Sequence, residues 1–130
     1  MTKLLYKELS DQVLGAAFAV HSALGPGLLE SLYQKAMCIE LRHRHINYEC
    51  QSPYDVFYRD EFIGRFYADL VIEKKIIVEL KAVKFLQELM SAQTINYLKI
   101  SNIAVGYLIN FNSISVVWKR FYHHVFSNII

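Results

Sequence analysis

Residues 66–83, FYADLVIEKKIIVELKAV, constrain the fold more than any other stretch of this chain. They read as two apolar strands joined by the charged turn Glu73-Lys74-Lys75, so the chain builds a β-hairpin inside a sheet. Three ionisable side chains, Asp69, Glu79 and Lys81, interrupt runs that otherwise belong in a core. Side chains alternate faces along a strand, so Glu79 and Lys81 point the same way. With that turn, Ile72 pairs with Ile76 and Asp69 falls opposite Glu79. Directly opposite residues share a face. Two carboxylates and an ammonium then converge on one patch. A turn one residue longer or shorter separates them, because a one-residue slip turns every side chain over.

The rest of the chain supplies elements to cover this hairpin. Residues 4–24 are expected to be helical, with Leu5, Leu9, Val13, Ala16, Ala17 and Val20 near helical spacing. Gly25-Pro26-Gly27 stops that helix. A second helix is expected over 28–44. Its expected apolar stripe is Leu29, Leu32, Ala36 and Ile39, and Arg42, His43 and Arg44 suit the negative end of its dipole. Pro53 is expected to interrupt the next stretch, leaving a strand over 54–58, a turn at Arg59-Asp60-Glu61 and a strand over 62–72. A strand over 76–83, a helix over 85–100 and a hairpin of 104–110 with 114–121 complete the order ααβββαββ. That order predicts an α/β fold, one mixed sheet with helices packed on it.

The 130 residues suffice for one core and one domain over 1–130. The 54% hydrophobic content, with nine Tyr and eight Phe, calls for a tightly filled core or a face that a partner covers. A net charge of +2 is too small to imply nucleic-acid binding by itself. Cys38 and Cys50 form no CxxC pair and signal no zinc cage. With no secretory leader they read as reduced cysteines of a cytoplasmic protein. The longest apolar run, 103–111, is too short to span a bilayer, so no membrane partner is expected.

The hairpin patch has two readings. It can hold a divalent cation such as Mg²⁺, which takes one or two carboxylates and keeps several waters, with Lys81 beside it to orient or deprotonate a nucleophilic water. It can also be a solvated sheet face with an ordinary ion pair. Val71 and Ile77 on the same face count against full solvation. Gln93 and Tyr97, four apart on the third helix, share a face and read either as substrate-positioning groups or as a polar edge beside a packed ring. Glu30 and Tyr33 share a face after Gly27. Glu30 is either a helix-start charge or a third carboxylate for the cation. His21 matters only if the first helix ends beside Asp69, and His43, His45, His123 and His124 are assigned nothing.

These residues together resemble a known family. GPGLLESLYQKA, residues 25–36, is similar to the signature of the GxxExxY proteins, here Gly27, Glu30 and Tyr33. The resemblance continues through VHSALGPG, ADLVIEKKIIVELKAV, QTINYLK and VGYLINF, about Asp11 to Arg120. That family sits in the PD-(D/E)xK nuclease-like superfamily. The resemblance implies a restriction-endonuclease-like core, a mixed β-sheet flanked by helices with the metal site on a central hairpin. It implies that Asp69 and Glu79 bind Mg²⁺ (or Mn²⁺), that the Leu80 carbonyl adds a ligand, and that Lys81 is catalytic. Gln93 and Tyr97 match the QxxxY helix of the RecB-like branch. Glu30 resembles the assisting helix carboxylate, and His21 the helical His ligand of RecB-like members. The chain departs at Tyr67, where relatives commonly carry Arg, and at Ala68, in place of the superfamily's Pro. The implied activity is metal-dependent hydrolysis of DNA, with Lys84 and Lys99 available to phosphates and a homo-oligomer possible. The alternatives are a catalytically silent nucleic-acid-binding module and an oligomeric interaction protein built on the aromatic strands around Tyr54, Phe57 and Tyr58.

Overall fold

A computed structural model describes residues 4–124. Residues 1–3 and 125–130 of the expected domain lie outside the described residues. The elements run α1 (Lys7–Leu24), α2 (Glu30–His43), β1 (Tyr48–Tyr58), β2 (Glu61–Ile72), β3 (Ile76–Lys81), α3 (Glu88–Ser101), β4 (Val105–Asn110) and β5 (Val117–Tyr122). The strands form one sheet in the order β1-β2-β3-β4-β5. Only β3 and β4 are parallel, and α3 makes the crossover between them. This is a mixed α/β sheet of the restriction-endonuclease-like kind.

Each face of the sheet buries its own apolar cluster. Leu70, Ile72, Ile76, Val78 and Leu80 meet Val13, Ala17 and Val20 of α1 and Tyr33, Met37 and Leu41 of α2. Ala68, Val71 and Ile77 meet Leu98 of α3 and Ile103. β3 is buried on both faces, which is why IIVEL reads as a nearly unbroken apolar run.

Two expectations are corrected. Pro53 does not break the strand: β1 is continuous through it, and Pro53 pairs with Tyr67. β1 is an edge strand, where a missing amide donor is tolerated. The expected stripe of α2 is also not the buried one. Leu29, Leu32 and Ile39 are 72%, 43% and 49% exposed, while Tyr33, Met37, Cys38 and Leu41 face the core. The helix carries two apolar stripes at legitimate helical spacing, and packing against α1 and the sheet selects the second.

The turns follow local chemistry. Arg59 and Asp60 both take positive φ, the mirror-turn geometry that matches strand twist in a two-residue hairpin loop. The β2–β3 loop is Glu73-Lys74-Lys75, closed by the Lys75 amide donating to the Ile72 carbonyl at 2.8 Å. Ile72 pairs with Ile76, Val71 with Ile77 and Leu70 with Val78.

Candidate active site

The β2–β3 ladder stops at Leu70–Val78, one step before Asp69 would face Glu79. There β2 leaves β3, and side chains take over the hydrogen bonding. The Asp69 amide donates to Glu79 Oε2 at 2.8 Å, and the Leu80 amide donates to Asp69 Oδ2 at 2.9 Å. The two carboxylates are thus locked to each other's strands. Alternation along β2 slips at the same place. Ala68 and Val71 pack in the cluster under α3, whereas Leu70 and Ile72 pack in the cluster under α1 and α2. On β1, Gln51 faces this slip with φ 52° and donates from Nε2 to Asp69 Oδ1 at 3.2 Å. Such an irregularity re-aims a side chain and ends regular pairing.

Lys81 is two residues beyond Glu79 and partly exposed. It forms no close ion pair among the described residues, yet its charge is felt by both Glu79 and Glu30. The Phe111 amide donates to the Lys81 carbonyl at 2.9 Å, so that carbonyl faces β4. The carbonyl of Leu80, one residue earlier, therefore faces β2 and Asp69.

Electrostatics sets Glu79 apart. It is 5% exposed, and its carboxyl is pushed up to about 8. Burial is the main cause and the Asp69 charge the next. The Asp69 amide and Lys81 oppose the rise. Glu79 Oε1 accepts no hydrogen bond among the described residues. Glu30 is solvent-accessible, but desolvation of its carboxyl raises its pKa, opposed by Lys81 and reinforced by Asp69. Tyr97 is raised by burial first, then by Glu79 and Asp69, while the Gln93 side chain opposes. Electrostatic influence of this kind places Glu30, Asp69, Glu79, Lys81, Gln93 and Tyr97 around one locus.

α2 delivers Glu30 through Tyr33. The buried Tyr33 hydroxyl donates to the Gly25 carbonyl at 2.6 Å and accepts from the Leu28 amide at 3.1 Å. Its ring stacks on Phe111 at 4.7 Å. The Gly27 amide donates to Asn112 Oδ1 at 3.1 Å, and Gly27 has φ 97°, a conformation that suits glycine. The GxxExxY spacing thus pins the α1–α2 turn to the end of β4 and leaves Glu30 one turn before the pinned ring. Asn110, buried at the end of β4, holds the chain after Lys81: it accepts from the Val83 amide at 3.0 Å and donates to the Val83 carbonyl at 2.8 Å.

His21 is engaged elsewhere. It is buried, and its Nε2 donates to the Ser113 carbonyl at 2.8 Å. Among the described residues no three His, Cys, Asp or Glu side chains form a group that could hold a metal by themselves, so Glu30 and His21 do not close a ready ligand set with Asp69 and Glu79. Gln51, Gln34, Asn110 and Phe111 support the site without having been singled out from the sequence. Only Asn110, a polar residue ending an apolar strand, left a local signal.

On the α3 side, Tyr97 stacks on Phe66 at 3.9 Å and Phe66 on Tyr54 at 5.2 Å, so the aromatic strand residues anchor the helix that carries Gln93. Lys84 and Lys99 are exposed. No helix is long and apolar enough to cross a membrane among the described residues.

The comparisons with known proteins bear on the family and the fold. A family model described as PD-(D/E)XK nuclease superfamily matches residues 7–121. The solved structure described as "Crystal structure of SSO0001" is similar in fold, with a TM-score of 0.54 at 17% identity over 88% of this chain. The chain spans 57% of that protein's length. No curated protein matches the chain closely enough to carry a function over. The matched family model covers the hairpin, both flanking helical layers and the sheet, and the chain belongs to the PD-(D/E)XK nuclease superfamily.

Proposed function

We propose that this chain is a divalent-metal-dependent nuclease that hydrolyses DNA phosphodiester bonds, acting as one domain of the GxxExxY type in the cytoplasm. The observation that carries the reading is the reciprocal lock between Asp69 and Glu79, with Lys81 two residues beyond. A carboxylate as buried as Glu79 beside a second acid lacks a full countercharge. A divalent cation supplies it, and the donor set fits. Asp69, the Oε1 of Glu79 and the Leu80 carbonyl would hold Mg²⁺ or Mn²⁺, with Glu30 assisting, while His21 is engaged with the Ser113 carbonyl. Mg²⁺ is satisfied by one or two carboxylates with water and phosphate, so a third protein acid is not required. When bound there, the ion would supply a low-pKa water and neutralise charge on the phosphoryl oxygens.

Lys81 orients the attacking water or meets the developing charge. Gln93 and Tyr97 position the substrate from α3, and Lys84 and Lys99 are available to phosphates. Free Cys38 and Cys50 suit a reducing compartment.

Cleavage of labelled single- and double-stranded DNA and RNA with Mg²⁺ or Mn²⁺ tests the reading. Cation-dependent cutting is expected, with a loss of at least about a hundredfold in Lys81→Ala. A Lys81→Ala protein as fast as wild type removes the catalytic assignment. Calorimetric Mn²⁺ titration of Asp69→Asn is expected to show binding abolished or greatly weakened, and unchanged binding moves the cation elsewhere. Cation and nucleic-acid binding without cutting would favour the silent binding module.

A further inference from the structure

Behind the carboxylates, α2 and β1 bring the chain's two cysteines together. Gln34 and Cys38 lie one turn apart on one face of α2. Gln34 Nε2 donates to Cys50 Sγ at 3.1 Å, so Cys50 sits against the same face. The Cys50 thiol is near enough to push the Cys38 thiol up, after burial. Both thiols are free; Cys38 is buried and Cys50 exposed. The contact leads toward the site. Gln51 Nε2 is shared between Gln34 Oε1 at 2.8 Å and Asp69 Oδ1 at 3.2 Å. Cys50, Gln34, Gln51 and Asp69 thus form one run of side-chain hydrogen bonds.

We propose that Cys38 and Cys50 are a redox modification site that closes into an intramolecular disulfide, and that the bridge is felt at Asp69 through Gln34 and Gln51. Peroxide is the oxidant class. The exposed Cys50 thiol is oxidised to the sulfenic acid with release of water. The Cys38 sulfur then displaces the hydroxyl, which leaves with the Cys38 proton as a second water. Two thiols lose two hydrogens, and one peroxide is reduced. Cys50 is exposed and meets peroxide first, whereas Cys38 is buried, with its thiol pushed up to about 11 mainly by burial. Closing the bridge draws the Cys50 sulfur away from Gln34. Gln34 Oε1 then no longer holds the Gln51 amide in place, and the bond from Gln51 to Asp69 Oδ1, 3.2 Å in the reduced protein, tightens against a cation at that oxygen.

Hydrogen peroxide treatment of the full chain, followed by intact mass and thiol alkylation, tests the first half. A loss of about 2 Da with both thiols protected is expected, restored by dithiothreitol and absent in Cys50→Ser. Two alkylatable thiols after treatment, or oxygen added to Cys50 with no bridge, overturns the site. Because Cys50 is exposed, Cys50→Ser keeps the fold, checked by its melting curve. The second half rests on the cation site proposed above and is read by Mn²⁺ calorimetry. The oxidised protein is expected to bind about fivefold more weakly than the reduced protein, the effect of one hydrogen bond. Equal affinities of the two forms overturn the link to Asp69. A reduced protein that binds no Mn²⁺ sinks the metal reading instead, while the mass measurement still decides the disulfide.

Discussion

Glu79 is held mostly protonated at neutral pH, at about 8 against an ordinary 4.5, mainly by burial. Its pKa in the fold lies above its unfolded value. The protonated fold is therefore favoured below the ordinary carboxylate pKa, and that contribution disappears as pH rises through about 8. Glu79→Gln is accordingly expected to stabilise the chelator-treated protein by about 2 kcal/mol near pH 9 and to change it little near pH 4, read by thermal melts across pH. Mn²⁺ affinity of the wild type is expected to rise up to about tenfold per pH unit until about 8, because the cation must displace the Glu79 proton. A flat affinity across that range would show that Glu79 is not a ligand. Sequence alone revealed that Asp69, Glu79 and Lys81 interrupt a core pattern. It did not reveal the proton on Glu79, which depends on how deeply α3 and the sheet bury that carboxyl.

At the scale of the element, α2 shows why periodicity has two answers. Leu29, Leu32, Ala36 and Ile39 make one apolar stripe; Tyr33, Met37 and Leu41 make another. The Tyr33 hydroxyl, tied to Gly25 and Leu28, fixes the rotation of the helix that buries the second stripe and turns Glu30 toward Lys81 and Asp69. Urea denaturation should separate the two faces. Met37→Ala is expected to cost about 2–5 kcal/mol, as for a fully buried side chain, whereas Ile39→Gln stays within about 0.5 kcal/mol of wild type. The β2–β3 hairpin was more legible than the helix. Its turn residues and its register from Ile72–Ile76 to Leu70–Val78 follow from a three-residue charged loop between strict apolar runs, whereas Asp69 and Glu79 meet through backbone amides and not as the directly opposite pair expected. The end of the ladder at Leu70 was not legible, because the slip depends on Gln51 in the neighbouring strand.

Across the whole molecule, the site lies where two differently packed sheet faces meet. α2 carries Glu30 from one side and α3 carries Gln93 and Tyr97 from the other, with β3 buried between. Gly106 lets α3 sit close to the sheet: a Cβ there would lie 3.1 Å from Leu98 Cδ2 and 3.3 Å from Thr94 Cγ2. Gly106→Ala is expected to push α3 outward and destabilise the protein by about 1–3 kcal/mol, measured by urea unfolding. If Tyr97 and Gln93 position substrate, cleavage should fall further than stability predicts under conditions where the variant remains folded.

The sequence by itself determined the order of elements, the hairpin register and the three ionisable residues at its end, because turn length and two-residue alternation are local properties. Only the tertiary structure decided which stripe of α2 is buried, that Pro53 lies within an edge strand, that His21 bonds Ser113, and that Gln34 and Gln51 connect the cysteines to Asp69. Those outcomes depend on contacts between residues far apart in the chain, and local spacing carries no record of them.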